Sequence, residues 1–360
     1  MRRTIVALAA GLVLGLGGTA LTNNPAQAAV PDAWGFAFMH NSAPPPGTIL
    51  DVTRQWGSWK TAFPADWATV TQIGVGRYRV TFPHIASTRG VVHVTAVSGD
   101  ARWCQVMTWF ASGVNELVDV QCYRNGGVPA PARFSIVYGT SSGAPTSSGA
   151  FGYVFANLLG GTINSYNSAG LVNTVSKFGP GQYKVTLPGL AGAAVGLAGD
   201  VQVTSVHPNS PRRCKVANFA RVGAGYSIIV YCHDQANVLT DSWFDLTFQD
   251  KRAIFGGLAP PKNIAYLWTG GGGATNYNSQ GGANTVISSG VGQYLVQFGL
   301  VGVAQTDVQV TAYGPSPDYC ILQEVWGFSG TTVVVRNVFC FNGAGVPTPN
   351  QFFVTYTSRV

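Results

Sequence analysis

Apolar and polar residues alternate with a period of two along many short runs of this chain, the pattern of strands with two unlike faces. Tyr78-Arg79-Val80-Thr81-Phe82 is one such run. Val92-His93-Val94-Thr95, Val201-Gln202-Val203-Thr204 and Val308-Gln309-Val310-Thr311 are three versions of a second. Phe134-Ser135-Ile136-Val137-Tyr138, Phe244-Asp245-Leu246-Thr247-Phe248 and Phe352-Phe353-Val354-Thr355-Tyr356 are three versions of a third. Helix-period patterns are missing, and Gly, Pro, Asn and Ser separate the runs. The chain therefore reads as all-β.

The runs recur in order, which points to internal repetition. A signature of form GxGxYxV appears as Gly74-Val75-Gly76-Arg77-Tyr78-Arg79-Val80, Gly179-Pro180-Gly181-Gln182-Tyr183-Lys184-Val185 and Gly290-Val291-Gly292-Gln293-Tyr294-Leu295-Val296. One cysteine pair follows each: Cys104 and Cys122, Cys214 and Cys232, Cys320 and Cys340. These landmarks predict three tandem β-sandwich or jelly-roll-like domains over 33–139, 150–250 and 263–360, each with about seven or eight strands. Gly139 to Gly149 has the composition of a flexible linker, and Lys251 to Lys262, with Gly256-Gly257 and Pro260-Pro261, reads as the second joint. Joints this short leave a string of domains and a pseudo-threefold cluster both open.

Each cysteine pair is centred on a glycine, Gly113, Gly223 or Gly330, the residue suited to positive φ in a tight turn. Three hairpins follow, and the odd number of residues between the cysteines predicts a connection of about three or five residues. Cysteines facing each other across such a hairpin lie within bridging range. The expected disulfides are 104–122, 214–232 and 320–340, each stabilising by about 3 kcal/mol through the unfolded chain. With no CxxC and no nearby HxxxH, zinc is disfavoured.

The first residues add the compartment. Arg2 and Arg3, the apolar stretch Ile5 to Leu16 and Ala26-Gln27-Ala28 read as a signal peptide over 1–28, and paired cysteines suit an oxidising, extracellular location. No second hydrophobic run is long enough to span a membrane. Charged residues are only 10% of the chain, and the formal charge of +7 is spread without a basic stripe. A nucleic-acid partner is therefore disfavoured, and attachment to an anionic polymer has only weak electrostatic support.

Catalytic signatures are missing. There is no GxSxG, HExxH, P-loop or calcium loop, and nothing calls for a cofactor or a metal. Copy-to-copy comparison places His93 where Gln202 and Gln309 stand, and His84 where Gly189 and Leu300 stand, so no shared mechanism uses either; both read as surface or strand-lining histidines. Only two glutamates exist, Glu116 and Glu324, in different repeats, which leaves a paired-carboxylate hydrolase unsupported. Repeat 1 is the odd copy. It holds six of the nine tryptophans (Trp34, Trp56, Trp59, Trp67, Trp103, Trp109) and a dozen or so extra residues around Pro44-Pro45-Pro46 and Arg54 to Lys60. Trp56, Trp59 and Trp67, with Arg54 and Lys60 beside them, are the candidate ligand-binding residues, because indoles suit flat sugar rings. The Tyr166-Asn167-Ser168-Ala169-Gly170 and Tyr277-Asn278-Ser279-Gln280-Gly281 segments read as turns.

The Arg-Arg start, the alanine-rich leader, the GxGxYxV strands and the paired cysteines together resemble secreted actinobacterial proteins built of tandem disulfide-containing β-repeats, a group that implies secretion and carries no activity with it. The GxGxYxV strand is also similar to a strand of the trimeric C1q-type jelly roll. The favoured reading is a secreted, non-catalytic, multivalent binding or cell-surface protein, with repeat 1 recognising a polysaccharide or another cell-envelope component. The alternatives are a secreted hydrolase with its site in repeat 1 and a purely structural or assembly protein. Neither the ligand nor the oligomeric state can be read from these residues.

Overall fold

The computed structural model describes residues 32–140, 149–191, 196–256, 263–271 and 275–359. The segment expected to be a signal peptide, most of the first linker and the end of the second joint lie outside them. The described residues hold 27 strands and no α-helix. The strands fall into three stretches of like order, and the three disulfides are Cys104–Cys122, Cys214–Cys232 and Cys320–Cys340, each with Cα atoms 4.0 Å apart. The second joint is not a free spacer: Arg252 to Phe255 are buried, and Phe255 stacks on Trp34 at 4.0 Å.

The cysteine hairpins correct one expectation. Their connections are two-residue turns, Gly113-Val114, Gly223-Ala224 and Gly330-Thr331, between the pairs Ser112–Asn115, Val222–Gly225 and Ser329–Thr332. The extra residue sits in a β-bulge between Val106 and Thr108, and between Val216 and Asn218, while in repeat 3 the strand breaks after Leu322. A bulge adds one residue to one strand, so an odd number of residues between the cysteines fits an even turn. The central glycines have φ near +60° (60, 59 and 59°), as that turn requires.

The repeated landmarks touch one another. The carbonyls of Gly76, Gly181 and Gly292 accept from the amides of Cys122, Cys232 and Cys340, each at 2.8 Å. The rings of Tyr78, Tyr183 and Tyr294 pack on Phe134, Phe244 and Phe352 at 5.5, 5.1 and 5.2 Å. Their hydroxyls accept from the amides of Ala132, Ser242 and Asn350. Gly76 has φ +62°, and a Cβ there would lie 2.4 Å from the Ala130 carbonyl oxygen. Gly76→Ala is therefore expected to lose about 2 kcal/mol or more. A urea midpoint unchanged from wild type would show that this turn does not fasten the hairpin.

Each repeat packs strands of two sheets around a core of its own, as a sandwich does, and its sheets do not end at its borders. Each splits its strands between two sheets, and every sheet continues into another repeat. Repeat 1 joins repeat 2 by the parallel pair Val106–Val206, repeat 2 joins repeat 3 by Val216–Tyr313, and repeat 3 joins repeat 1 by Leu322–Val97. One amide seals each junction at 2.9 Å: His207 to Val106, Gly314 to Val216 and Ser98 to Leu322. The junctions lie at the bulges or at the strand break, where the hairpin ladder is already interrupted. Of the two arrangements the sequence left open, residues 32–359 adopt the pseudo-threefold cluster.

Strands Val91–Val97, Asp200–Val206 and Thr306–Tyr313 line the pseudo-axis. Val92, Val94 and Ala96 face the repeat's own core, and the alternate residues face the other repeats. Thr95 donates to Gln309 Oε1 at 2.7 Å and accepts the Val310 amide. Thr311 donates to Gln202 Oε1 at 2.8 Å and accepts the Val203 amide. His93 Nδ1 and the Val94 amide complete the cycle at Thr204. His93 is thus 2% exposed and closes a ring in which Gln serves twice; of its two readings the strand-lining one holds and the surface one does not.

Candidate functional site

The insertion of repeat 1 packs inward and onto repeat 3. Trp59 is 2% exposed. Its indole lies flat over the Gly35–Gly57 pair, where a Cβ on Gly57 would sit 1.7 Å from the ring, and its Nε1 donates to Asp66 O. Lys60 is buried, donates to Pro64 O at 2.9 Å, and places Nζ 3.0 Å from the centroid of Trp67 and 5.5 Å from that of Trp56. The Arg359 guanidinium from repeat 3 covers Trp56 at 4.5 Å. Arg54 pairs with Asp51 at 2.8 Å, donates to Trp326 O at 2.9 Å and lies over the Trp326 ring. Lys60, Trp56 and Trp67 are brought together and Arg54 turns to Trp326, but cations already occupy the indole faces, and Trp59 offers no face to a ligand.

A better platform emerges from comparing the junctions. Each has an aromatic residue of one repeat's cysteine-hairpin segment against an aromatic from the first strand of the next repeat. The pairs are Trp109–Phe155 at 4.5 Å, Phe219–Trp268 at 6.1 Å and Trp326–Phe38 at 5.7 Å. The last two are closed: Tyr313 and Phe353 pack on Trp268, and Arg54 covers Trp326. All four of those junction aromatics are at most 8% exposed. At the first junction Trp109 and Phe155 are only half-buried. There a groove of about 410 Å³ opens, with Trp243, Ile163 and Met107 on its apolar wall and Thr88, Thr108 and Asn164 among its polar groups. That volume is within the usual range of small-ligand sites. An aromatic five or six positions after each first cysteine was the available sequence signal; that one copy stays uncovered was not visible.

Histidine chemistry is limited. His84, at φ +57°, places Nε2 2.6 Å from Asp66 Oδ2 and stacks on Phe63 at 3.7 Å. The Asp66 side chain is 47% exposed, and among the described residues no hydroxyl or thiol is bonded to the other ring nitrogen. This is half of a catalytic arrangement, without its nucleophile. The carboxyls whose pKa is raised are inside. Burial pushes Asp200, Asp307 and Glu116 up to about 7, and Asp245 well above the carboxylate range. No group of three or more His, Cys, Asp or Glu suited to a metal occurs among the described residues, and none of their helices is long and apolar enough to cross a membrane. The Asn167 and Asn278 loops close on themselves, each carboxamide oxygen accepting the amide two residues on. No protein-family model, curated protein or solved structure matches the chain.

Proposed function

We propose that this is a secreted, non-catalytic binding protein that takes a segment of glycan or cell-envelope polymer in the Trp109–Phe155–Trp243 groove. The observation that carries the reading is the inequality of the junctions: two aromatic pairs are packed shut and the third is left open beside polar groups. Half-exposed aromatic faces next to hydroxyls and a carboxamide match a sugar ring, which has an apolar face and a polar edge. Three disulfides and the basic, alanine-rich start support export. The groove occurs at one junction, so on this reading the repeats supply a rigid frame and avidity would need several chains.

Binding of the mature chain to a glycan array and to insoluble wall fractions tests this. Trp109→Ala with Phe155→Ala is expected to weaken binding on the order of tenfold or more, a loss of about 1.4 kcal/mol. Trp56→Ala with Trp67→Ala should leave it unchanged. The opposite pattern would return the site to the repeat 1 insertion, and binding unaffected by either pair would remove both.

A further inference from the structure

The cysteine strand of repeat 2 carries charge where its counterparts carry none. Alternate residues of these strands face the pseudo-axis: Trp103 and Gln105 in repeat 1, Arg213 and Lys215 in repeat 2, Tyr319 and Ile321 in repeat 3. All of these but Gln105 line a cavity of about 60 Å³ whose other walls are the axial strands of all three repeats. That space exceeds the minimum for one water several-fold.

The donors at this cavity have few acceptors. Lys215 is 4% exposed, and its Nζ has no hydrogen-bond partner. Its counterpart Gln105 is satisfied, donating to His207 O and Ser210 O and accepting the Arg212 amide. Arg213 is 8% exposed and lies between the rings of Trp103 and Tyr319 at 4.7 and 4.5 Å. Its Nη2 donates to Asn237 Oδ1, while Nε and Nη1 have no partner, nor does Trp103 Nε1. The nearby acids offset the two cations only in part: Asp318, at the cavity wall, favours the charged form of both, and Asp234 that of Arg213. Asp318 accepts from Ser316 and forms no ion pair with Lys215, and Arg212 adds a third positive group at the wall. His233 is held neutral, its pKa lowered to about 4 by burial and by Lys215 and Arg213.

Two adjacent buried cations with no ion-paired partner are costly, and the repeat does not need them, since Trp/Gln and Tyr/Ile fill the same positions. We infer that this axial cavity binds a small inorganic anion, chloride or an oxyanion of phosphate size, through Lys215 Nζ, Arg213 and the Trp103 indole N–H. The anion meets strands from three repeats and so favours the closed assembly over the unfolded chain. Burial also lowers the Lys215 pKa to about 8, a shift that a bound anion would oppose.

The test is the melting temperature of the mature chain, with chloride and phosphate titrated separately against gluconate at constant ionic strength. Gluconate is too large for the cavity. The expected result is a saturable rise of several degrees for the anion that binds. Lys215→Met should lose that rise and, in gluconate, melt above wild type. A wild-type curve flat in both arms overturns the proposal, as does an equal rise in Lys215→Met. If that variant does not fold, wild-type crystals soaked separately in bromide and in arsenate decide: an anomalous peak against Lys215 and Arg213 in either supports the site, and the absence of a peak there in both overturns it.

Discussion

Valine at Thr95, Thr204 and Thr311 together is expected to remove most of the stability of this protein. Each hydroxyl serves two acceptor or donor groups of another repeat, so the triple variant strands the amides of Val94, Val203 and Val310 together with His93, Gln202 and Gln309. An unsatisfied buried polar group costs about 1–3 kcal/mol, and six of them rival the roughly 5–15 kcal/mol by which a folded domain exceeds its unfolded chain. Valine keeps the volume, so packing loss does not account for the effect. Single variants should lose less than a third of the triple loss each, because a ring opened at one point can relax. Urea denaturation of the three singles and the triple measures this. A triple variant within about 1 kcal/mol of wild type would mean that the sheet junctions and apolar cores hold the repeats together without the ring.

The ring also shows where sequence reading stops. The strands, the three bridges and the matching of His93 with Gln202 and Gln309 were legible, because periodicity and copy-to-copy comparison report local geometry directly. The direction of the polar face was not. Val92-His93-Val94-Thr95 alternates in the same way whether His93 and Thr95 meet water or another repeat. A hint existed: apart from Asp200 and Asp307, the polar alternates of the three axial strands are His, Gln and Thr rather than charged side chains, in a chain with only 10% charged residues. The bulge was illegible for a related reason, since a two-residue turn with one bulge and a three-residue turn without one give the same cysteine spacing. The tryptophans of repeat 1 were conspicuous, yet composition cannot tell an indole that waits for a ligand from one already covered by Lys60 or Arg359. The groove at Trp109 depends on what the other two junctions do, which requires all three to be seen folded.

Stability should fall as the pH rises from about 4 to about 7, because the axis buries protonated carboxyls. Asp200 and Asp307 are at most 1% exposed, and burial raises both from 3.8 to about 7 despite hydrogen bonds from Gln202 and Gln249 to the first and from Ser135 and Gln309 to the second. Their folded pKa lies above the unfolded one, so their contribution is complete below the unfolded value and is lost as the pH rises through the folded one. Glu116 and Asp245 act in the same direction. His93 and His233 oppose them, because burial lowers these imidazoles from 6.5 to about 3 and about 4; their contribution is present above 6.5 and lost as the pH falls. Four carboxyls outweigh two imidazoles across the window, each group contributing up to roughly 1.4 kcal/mol per pH unit. Asp200→Asn with Asp307→Asn keeps the shapes and removes two of the four, leaving Glu116 and Asp245 to cancel His93 and His233. Urea midpoints followed across this range should therefore slope downward for the wild type and run nearly level for the double variant. Equal slopes in the two proteins would show that Asp200 and Asp307 are ionised at the axis, and that the ring around them is built to hold charge rather than to exclude it.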